Sequence, residues 1–126
     1  MAASSATLHE SIDKLKPETP DIHRAVVSLM EELEAIDWYR QRADACGDEQ
    51  LKAILEHNLN EEIEHASMAL EWLRRHVPKI DTALKTYLFT TGDVTKMEKA
   101  VTAGEAPAQP DGPRLPRTTI GDLKGR

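Results

Sequence analysis

Two long stretches of the chain alternate apolar and polar positions with the period of an α-helix. From Asp21 to about Cys46, Ile22, Val26, Leu29, Leu33 and Ile36 recur at spacings of 4, 3, 4 and 3, the seam of a helix that packs along a partner. From about Glu49 to His76 a second helical pattern carries two seams. Leu59, Ile63, Ala66, Leu70 and Leu73 form one, wholly apolar. Leu51, Leu55, Asn58, Glu62, His65, Ala69 and Trp72 form the other, apolar at both ends and polar in its middle. Between the stretches, Gly47 suits the position just past a helix end and Asp48 suits an N-cap. So short a connection makes the two helices antiparallel. A two-helix hairpin buries one seam per helix, so the extra seam predicts oligomerisation.

The flanks are simpler. Residues 1–16 are polar, with a short helical turn expected around Leu8–Leu15, and Thr19 before Pro20 reads as an N-cap ahead of a first-turn proline. Pro78 stops the second long helix and opens a shorter one to Phe89, with Ile80, Leu84 and Leu88 on one face. Gly92-Asp93 breaks the pattern, and Asp93 caps a last short helix through about Val101. Beyond Gly104 the chain turns to Glu-Ala-Pro-Ala-Gln-Pro-Asp-Gly-Pro-Arg-Leu-Pro-Arg, whose four prolines exclude a helix. The expected organisation is therefore a helical domain over 1–103, a Pro-rich linker over 104–117 and a C-terminal segment over 118–126. The fold class is all-α: an antiparallel two-helix hairpin, half of a four-helix bundle, plus short C-terminal helices, completed by dimerisation.

Composition narrows the function. An aromatic content of 4% beside 30% charged residues favours long charged helices over a β-sandwich. The net charge of −6 argues against nucleic acid and anionic membrane as partners and suits cations. The single cysteine, Cys46, excludes an internal disulfide and fits a reducing cytoplasm. The start lacks the basic and apolar regions of a signal peptide, and no stretch is long and apolar enough for a bilayer, so a soluble cytoplasmic protein is expected.

The candidate chemistry sits in the polar middle of the second seam. Glu62 and His65 are three apart, so on a helix they share a face and can hold one metal ion together. Glu32 lies 15 residues before Gly47 and Glu62 lies 15 after it. In an antiparallel hairpin with a tight turn those two carboxylates stand at the same height. One chain thus offers one Glu from one helix and a Glu-x-x-His pair from the other, half of the ligand set of a four-helix di-iron carboxylate site. A two-fold axis presents the same patch twice and would complete it. Imidazole with carboxylates, and without thiolates, suits iron or manganese and less specifically zinc. On an adjacent stripe Glu31, Glu34 and Trp38 form a second acidic cluster where a cation can enter, and Tyr39 leans toward the Glu32 stripe.

Acidic runs on helices are usually solvated surface, and for Glu31, Glu34, Glu61 and Glu64 that reading weighs as much as metal handling. Glu62 and His65, inside a seam, fit it less well. His57 and Glu61 form a competing pair that faces away from Glu62. His9, His23 and His76 read as surface residues, Trp72 as packing, and Cys46 has no base at matched spacing.

Met30-Glu-Glu-Leu-Glu-Ala-Ile-Asp-Trp-Tyr39, Asn60-Glu-Glu-Ile-Glu-His-Ala66 and Leu70-Glu-Trp-Leu-Arg-Arg75 closely resemble the encapsulated ferritins. The tail Thr119-Ile-Gly-Asp-Leu-Lys124 is similar to the targeting peptide by which such cargo docks inside encapsulin shells. The resemblance implies a ferroxidase that oxidises Fe(II) with O2 at an inter-subunit di-iron centre and forms a decameric ring of dimers. On matching positions it makes Glu32, Glu62 and His65 the iron ligands, each supplied by both chains. Glu31 and Glu34 would then form the site where metal enters, beside Trp38, with Tyr39 near the centre. It also implies residence in the lumen of an encapsulin nanocompartment, reached through residues 118–126, and storage of the oxidised iron there. A different class of function, a helical adaptor or cargo protein that binds metal without turnover, stays open on the residues alone. A rubrerythrin-like peroxidase is disfavoured by the lack of a Cys-x-x-Cys iron site.

Overall fold

The computed structural model describes residues 7–102; the linker and the C-terminal segment expected over 104–117 and 118–126 lie outside them. A single 3-10 turn at Ile12–Lys14 precedes four helices, α1 (Thr19–Ala45), α2 (Glu49–His76), α3 (Pro78–Tyr87) and α4 (Val94–Thr102), and no strand occurs among the described residues. The chain divides into two compact units, one through Thr82 and one from Ala83.

α1 begins two residues before the sequence pattern suggests, and Thr19 is its first helical residue rather than its cap. The Thr19 N–H is already taken by the Lys16 carbonyl at 3.0 Å, while the Glu18 carbonyl accepts from the Ile22 N–H at 3.1 Å. Glu18 therefore holds the cap position without a side-chain bond, and Pro20 in the first turn has no donor to leave unsatisfied. At the other end Cys46 is extended, with φ −79° and ψ 122°. Gly47 does not use the left-handed conformation that makes glycine valuable after a helix, since Gly92 is the positive-φ glycine among the described residues. Asp48 starts α2 as expected, its Oδ1 accepting from the Leu51 N–H at 2.8 Å.

α1 and α2 pack along their length as an antiparallel hairpin. Covered positions on α1 run through Ile22, Ala25, Leu29, Glu32, Ile36, Tyr39 and Ala43, and on α2 through Leu55, Leu59, Glu62, Ala66, Ala69 and Leu73. This stripe keeps Ile22, Leu29 and Ile36 of the α1 seam and Leu59, Ala66 and Leu73 of the apolar α2 seam, and leaves out their neighbours on one flank. Val26, Leu33 and Ile63 stay 37%, 54% and 44% exposed, whereas Ala43, Ala66 and Leu73 are buried. Ala43 and Ala66 lie on the same stripe as Glu32 and Glu62, between the two helices. Leu33 and Ile63 each follow a facing carboxylate by one residue, which on antiparallel helices puts them on the same flank of the hairpin. No large side chain is fully buried among the described residues, so the hairpin has almost no core of its own.

Past α2 the chain turns at Val77, whose N–H bonds the Leu73 carbonyl at 2.9 Å and whose carbonyl takes the Ile80 and Asp81 N–H groups. The turn is tied by Arg74. Its guanidinium donates to both carboxylate oxygens of Glu71 at 2.6 and 2.8 Å and to Asp81 Oδ1 at 2.5 Å. Arg75 Nε adds a third bond to Glu71 at 2.6 Å, and these partners hold the Glu71 carboxyl down to about 2.

In the second unit the chain leaves α3 through Phe89, which adopts a left-handed φ of 58° and is 93% exposed. Asp93 then caps α4, accepting from the Thr95 hydroxyl at 2.6 Å and the Thr95 N–H at 2.9 Å. Those two bonds, the hydroxyl's first, lower the Asp93 pKa.

Candidate metal centre

The helical hairpin brings Glu32 of α1 against Glu62 and His65 of α2, and one ligand atom from each lies within 4.8 Å of the others. His65 Nδ1 stands 3.5 Å from Glu62 Oε2 and 3.7 Å from Glu32 Oε2. These distances are too long for good hydrogen bonds but suit groups that an ion with bonds of about 2.1 Å would draw together. The Glu32 and Glu62 side chains are 26% and 22% exposed and His65 is 44% exposed. The cluster thus sits at the edge of the helix–helix contact, with one side open. A second carboxylate placed there makes Glu32 harder to ionise. The Glu62 carboxyl, close enough to share a proton, raises the pKa of Glu32; desolvation and the Glu62 charge add to this, and His65 opposes it.

The local sequence explains why these side chains converge. Heptad spacing places Leu29, Glu32 and Ile36 on one stripe of α1, and Leu59, Glu62 and Ala66 on one stripe of α2. Apolar neighbours therefore fix the height and direction of each carboxylate. His65 follows Glu62 by three residues and lies on the same face.

The other singled-out residues are arranged around this trio rather than in it. Glu31, exposed, and Glu34, half-buried, flank Glu32 on α1. Tyr39 stands two turns beyond Glu32 on the covered stripe, and Trp38 beside it is 49% exposed. Arg42 was not apparent as part of this group, yet its guanidinium lies 5.4 Å from the Tyr39 ring centre and 5.9 Å from that of Trp38. Its i+3 and i+4 spacing from the two rings was the available signal. His57 and Glu61 pair at 3.7 Å on exposed surface, apart from the trio. Trp72 packs under His76, ring centres 3.8 Å apart. Since the Trp72 carbonyl can only accept, His76 Nδ1 donates to it, at 2.8 Å. Cys46 Sγ lies 3.5 Å from the Asp48 carbonyl in the hairpin turn. Among the described residues, no helix is long and apolar enough to cross a membrane.

The EncFtn-like family is matched over residues 7–91, a span that includes both long helices and the three clustered side chains. An encapsulated ferritin-like protein of Rhodospirillum rubrum is 54% identical, the match covering 99% of this chain and 93% of that protein. A ferritin-like protein of Thermotoga maritima is 49% identical over 76% of this chain and 84% of its own length. The encapsulin nanocompartment cargo protein EncC of Myxococcus xanthus is 31% identical over 92% of this chain and 94% of its own length. Among solved structures, protein ne0167 of Nitrosomonas europaea superposes with a TM-score of 0.65 at 56% identity, covering 68% of this chain and 94% of that one. The chain belongs to the EncFtn-like family, the encapsulated ferritins.

Proposed function

We propose that this protein is a ferroxidase, which oxidises Fe(II) to Fe(III) with O2 at a di-iron centre shared by two subunits. The observation that carries the reading is the convergence of Glu32, Glu62 and His65 from two helices. The donor set fits iron: carboxylate oxygens and an imidazole suit both of its oxidation states. One chain supplies three ligand groups on one open-sided patch, fewer than an iron pair requires. A second copy related by a two-fold axis supplies the same three again. The exposed Val26, Leu33 and Ile63 support a chain that works as an oligomer, and a ring of dimers, a decamer, is the assembly we propose.

Iron supplies the electrons of the reaction; the protein's part is to bind and orient it. A cation held between Glu32 and Glu62 offsets the repulsion between them. His65 binds as the neutral imidazole and closes the set from the solvent side. Glu31 and Glu34 lead cations toward the trio, with Trp38 beside them, while Tyr39 borders the approach along the covered stripe. Residues 118–126 dock the protein inside an encapsulin shell, where the oxidised iron is stored; the names of the R. rubrum and M. xanthus relatives support this.

Aerobic Fe(II) added to the wild type and to Glu32→Ala, followed by the rise of ferric absorbance, tests the reading. Fast oxidation in the wild type, lost in the variant, is the expected result. Equal, slow rates in both would overturn the ferroxidase and leave a metal-binding helical adaptor.

A further inference from the structure

We propose that residues 118–126 dock back on the chain that carries them, over Leu88, Phe89 and Val94 at the α3–α4 turn, and that an encapsulin shell must displace them from there. The inference rests on the reading of 118–126 as the shell-docking segment and adds a competitor within the same chain. Phe89 is the observation behind it. It stands just past the end of α3 with φ 58°, in a region where glycine or asparagine is usual and a bulky residue is an outlier. It is 93% exposed, with Leu88 at 42% and Val94 at 57% close by in the chain. The turn keeps it there. The Leu88 N–H bonds the Leu84 carbonyl at 2.8 Å, the Thr90 hydroxyl donates to the Tyr87 carbonyl at 2.7 Å, and Asp93 caps α4 through Thr95. An aromatic side chain fixed outward by its own backbone is a preorganised anchor for another surface.

The chain that follows α4 selects the occupant. α4 has nine residues, from Val94 to Thr102, and is about 13.5 Å long. The 17 residues 103–119 separate its end from Ile120. A linker of that length spans about 23 Å as a flexible coil and about 53 Å as an extended polyproline chain, and either distance reaches back past α4 to the turn. Within 118–126 the large apolar side chains are Ile120 and Leu123. Such a tether presents them to the patch at millimolar effective concentration, so a contact with a dissociation constant of about 0.1–1 mM is populated within one chain. Two separate molecules at micromolar concentration would not hold it. The two-fold contact proposed above is built on the first unit, whereas this patch belongs to the second. A docked tail lowers the apparent affinity for the shell in proportion to the fraction of tails left free, about 2- to 10-fold.

Phe89 is the single phenylalanine of the sequence, so fluorophenylalanine incorporated into the full chain gives one fluorine resonance that reports on the patch. The expected result is a resonance that shifts when residues 118–126 are deleted or Leu123→Ser is introduced. It should return when a synthetic peptide of residues 118–126 is added to the deletion variant at millimolar concentration. Phe89→Gly accepts the left-handed backbone and so keeps the turn. Offered together with wild type to limiting shell protein, it should be loaded in about 2- to 10-fold excess, with its rate of Fe(II) oxidation unchanged. One resonance position shared by the full chain, the deletion and Leu123→Ser overturns the docking. A resonance that moves with protein concentration but not with the deletion also overturns it and assigns the patch to a second copy. Equal loading of Phe89→Gly and wild type overturns the competition. These three outcomes leave the shell-targeting reading standing, whereas shell co-purification that survives deletion of 118–126 overturns that reading and the competition with it.

Discussion

Replacing Glu32 by Gln should change the sign of its effect on stability when metal is added. The ligand atoms of the trio lie within 4.8 Å of one another. At that separation two like charges repel by about 0.9 kcal/mol in water and about 3.5 kcal/mol at an effective dielectric constant of 20. Side-chain exposures of 26% and 22% keep solvent close to both carboxylates, so the lower end applies, and about 1 kcal/mol is the expected gain from Glu32→Gln without metal at neutral pH. Because the Glu32 pKa is raised in the folded protein, its protonated form is the one favoured by folding. Stability from this group is fully present below the ordinary value of 4.5 and is lost as pH rises through the folded pKa. The variant's advantage should therefore be absent at acid pH and appear as pH rises. Anaerobic Fe(II) reverses the order: at a hundred times its dissociation constant a bound ion stabilises the wild type by about 2.7 kcal/mol, and the variant, lacking a charged ligand, gains much less. Urea unfolding at fixed protein concentration, across pH and with and without Fe(II), reads both signs. A variant less stable than wild type in the absence of metal, or a pH-independent difference, would refute the electrostatic account.

Other perturbations test the frame around the site. Asp48→Ala removes the side-chain cap of α2 and should lower stability by about 1 kcal/mol in chemical denaturation. Gly47→Ala should be neutral or stabilising by about 0.5 kcal/mol, since a Cβ there meets nothing within 4 Å and the backbone is not left-handed. The Glu71 carboxyl, held at about 2 by Arg74 and Arg75, stabilises the folded form above the ordinary carboxylate value, and that contribution is lost as pH falls from 4.5 toward 2. Glu71→Gln should accordingly flatten the acid limb of a pH-stability curve. Deleting residues 118–126 should abolish co-purification with an encapsulin shell while leaving aerobic Fe(II) oxidation intact.

Features set by local chemistry were legible in the sequence, while those set by the fit between helices were not. Asp48 and Asp93 start their helices because each carboxylate bonds an N–H group within its own first turn, and Pro78 ends α2 because it cannot continue the hydrogen-bond ladder. The levelling of Glu32 with Glu62 follows from counting outward from Gly47, because the rise per residue is fixed and the turn is short. Rotation about each helix axis has no such local cause. Both helices carry enough apolar positions for more than one seam. In the stripe adopted, Ala43, Ala66 and Leu73 are buried, while Val26, Leu33 and Ile63 stay exposed on the flank. That rotation has chemical consequences. Leu59, Ala66 and Leu73 of the wholly apolar α2 seam are covered together with Glu62, and a turn of α2 that buried Ile63 as well would carry Glu62 and His65 away from Glu32. The hairpin thus gives up part of the core available to it in a geometry that gathers carboxylates, and regains the lost burial only where another surface covers the exposed flank.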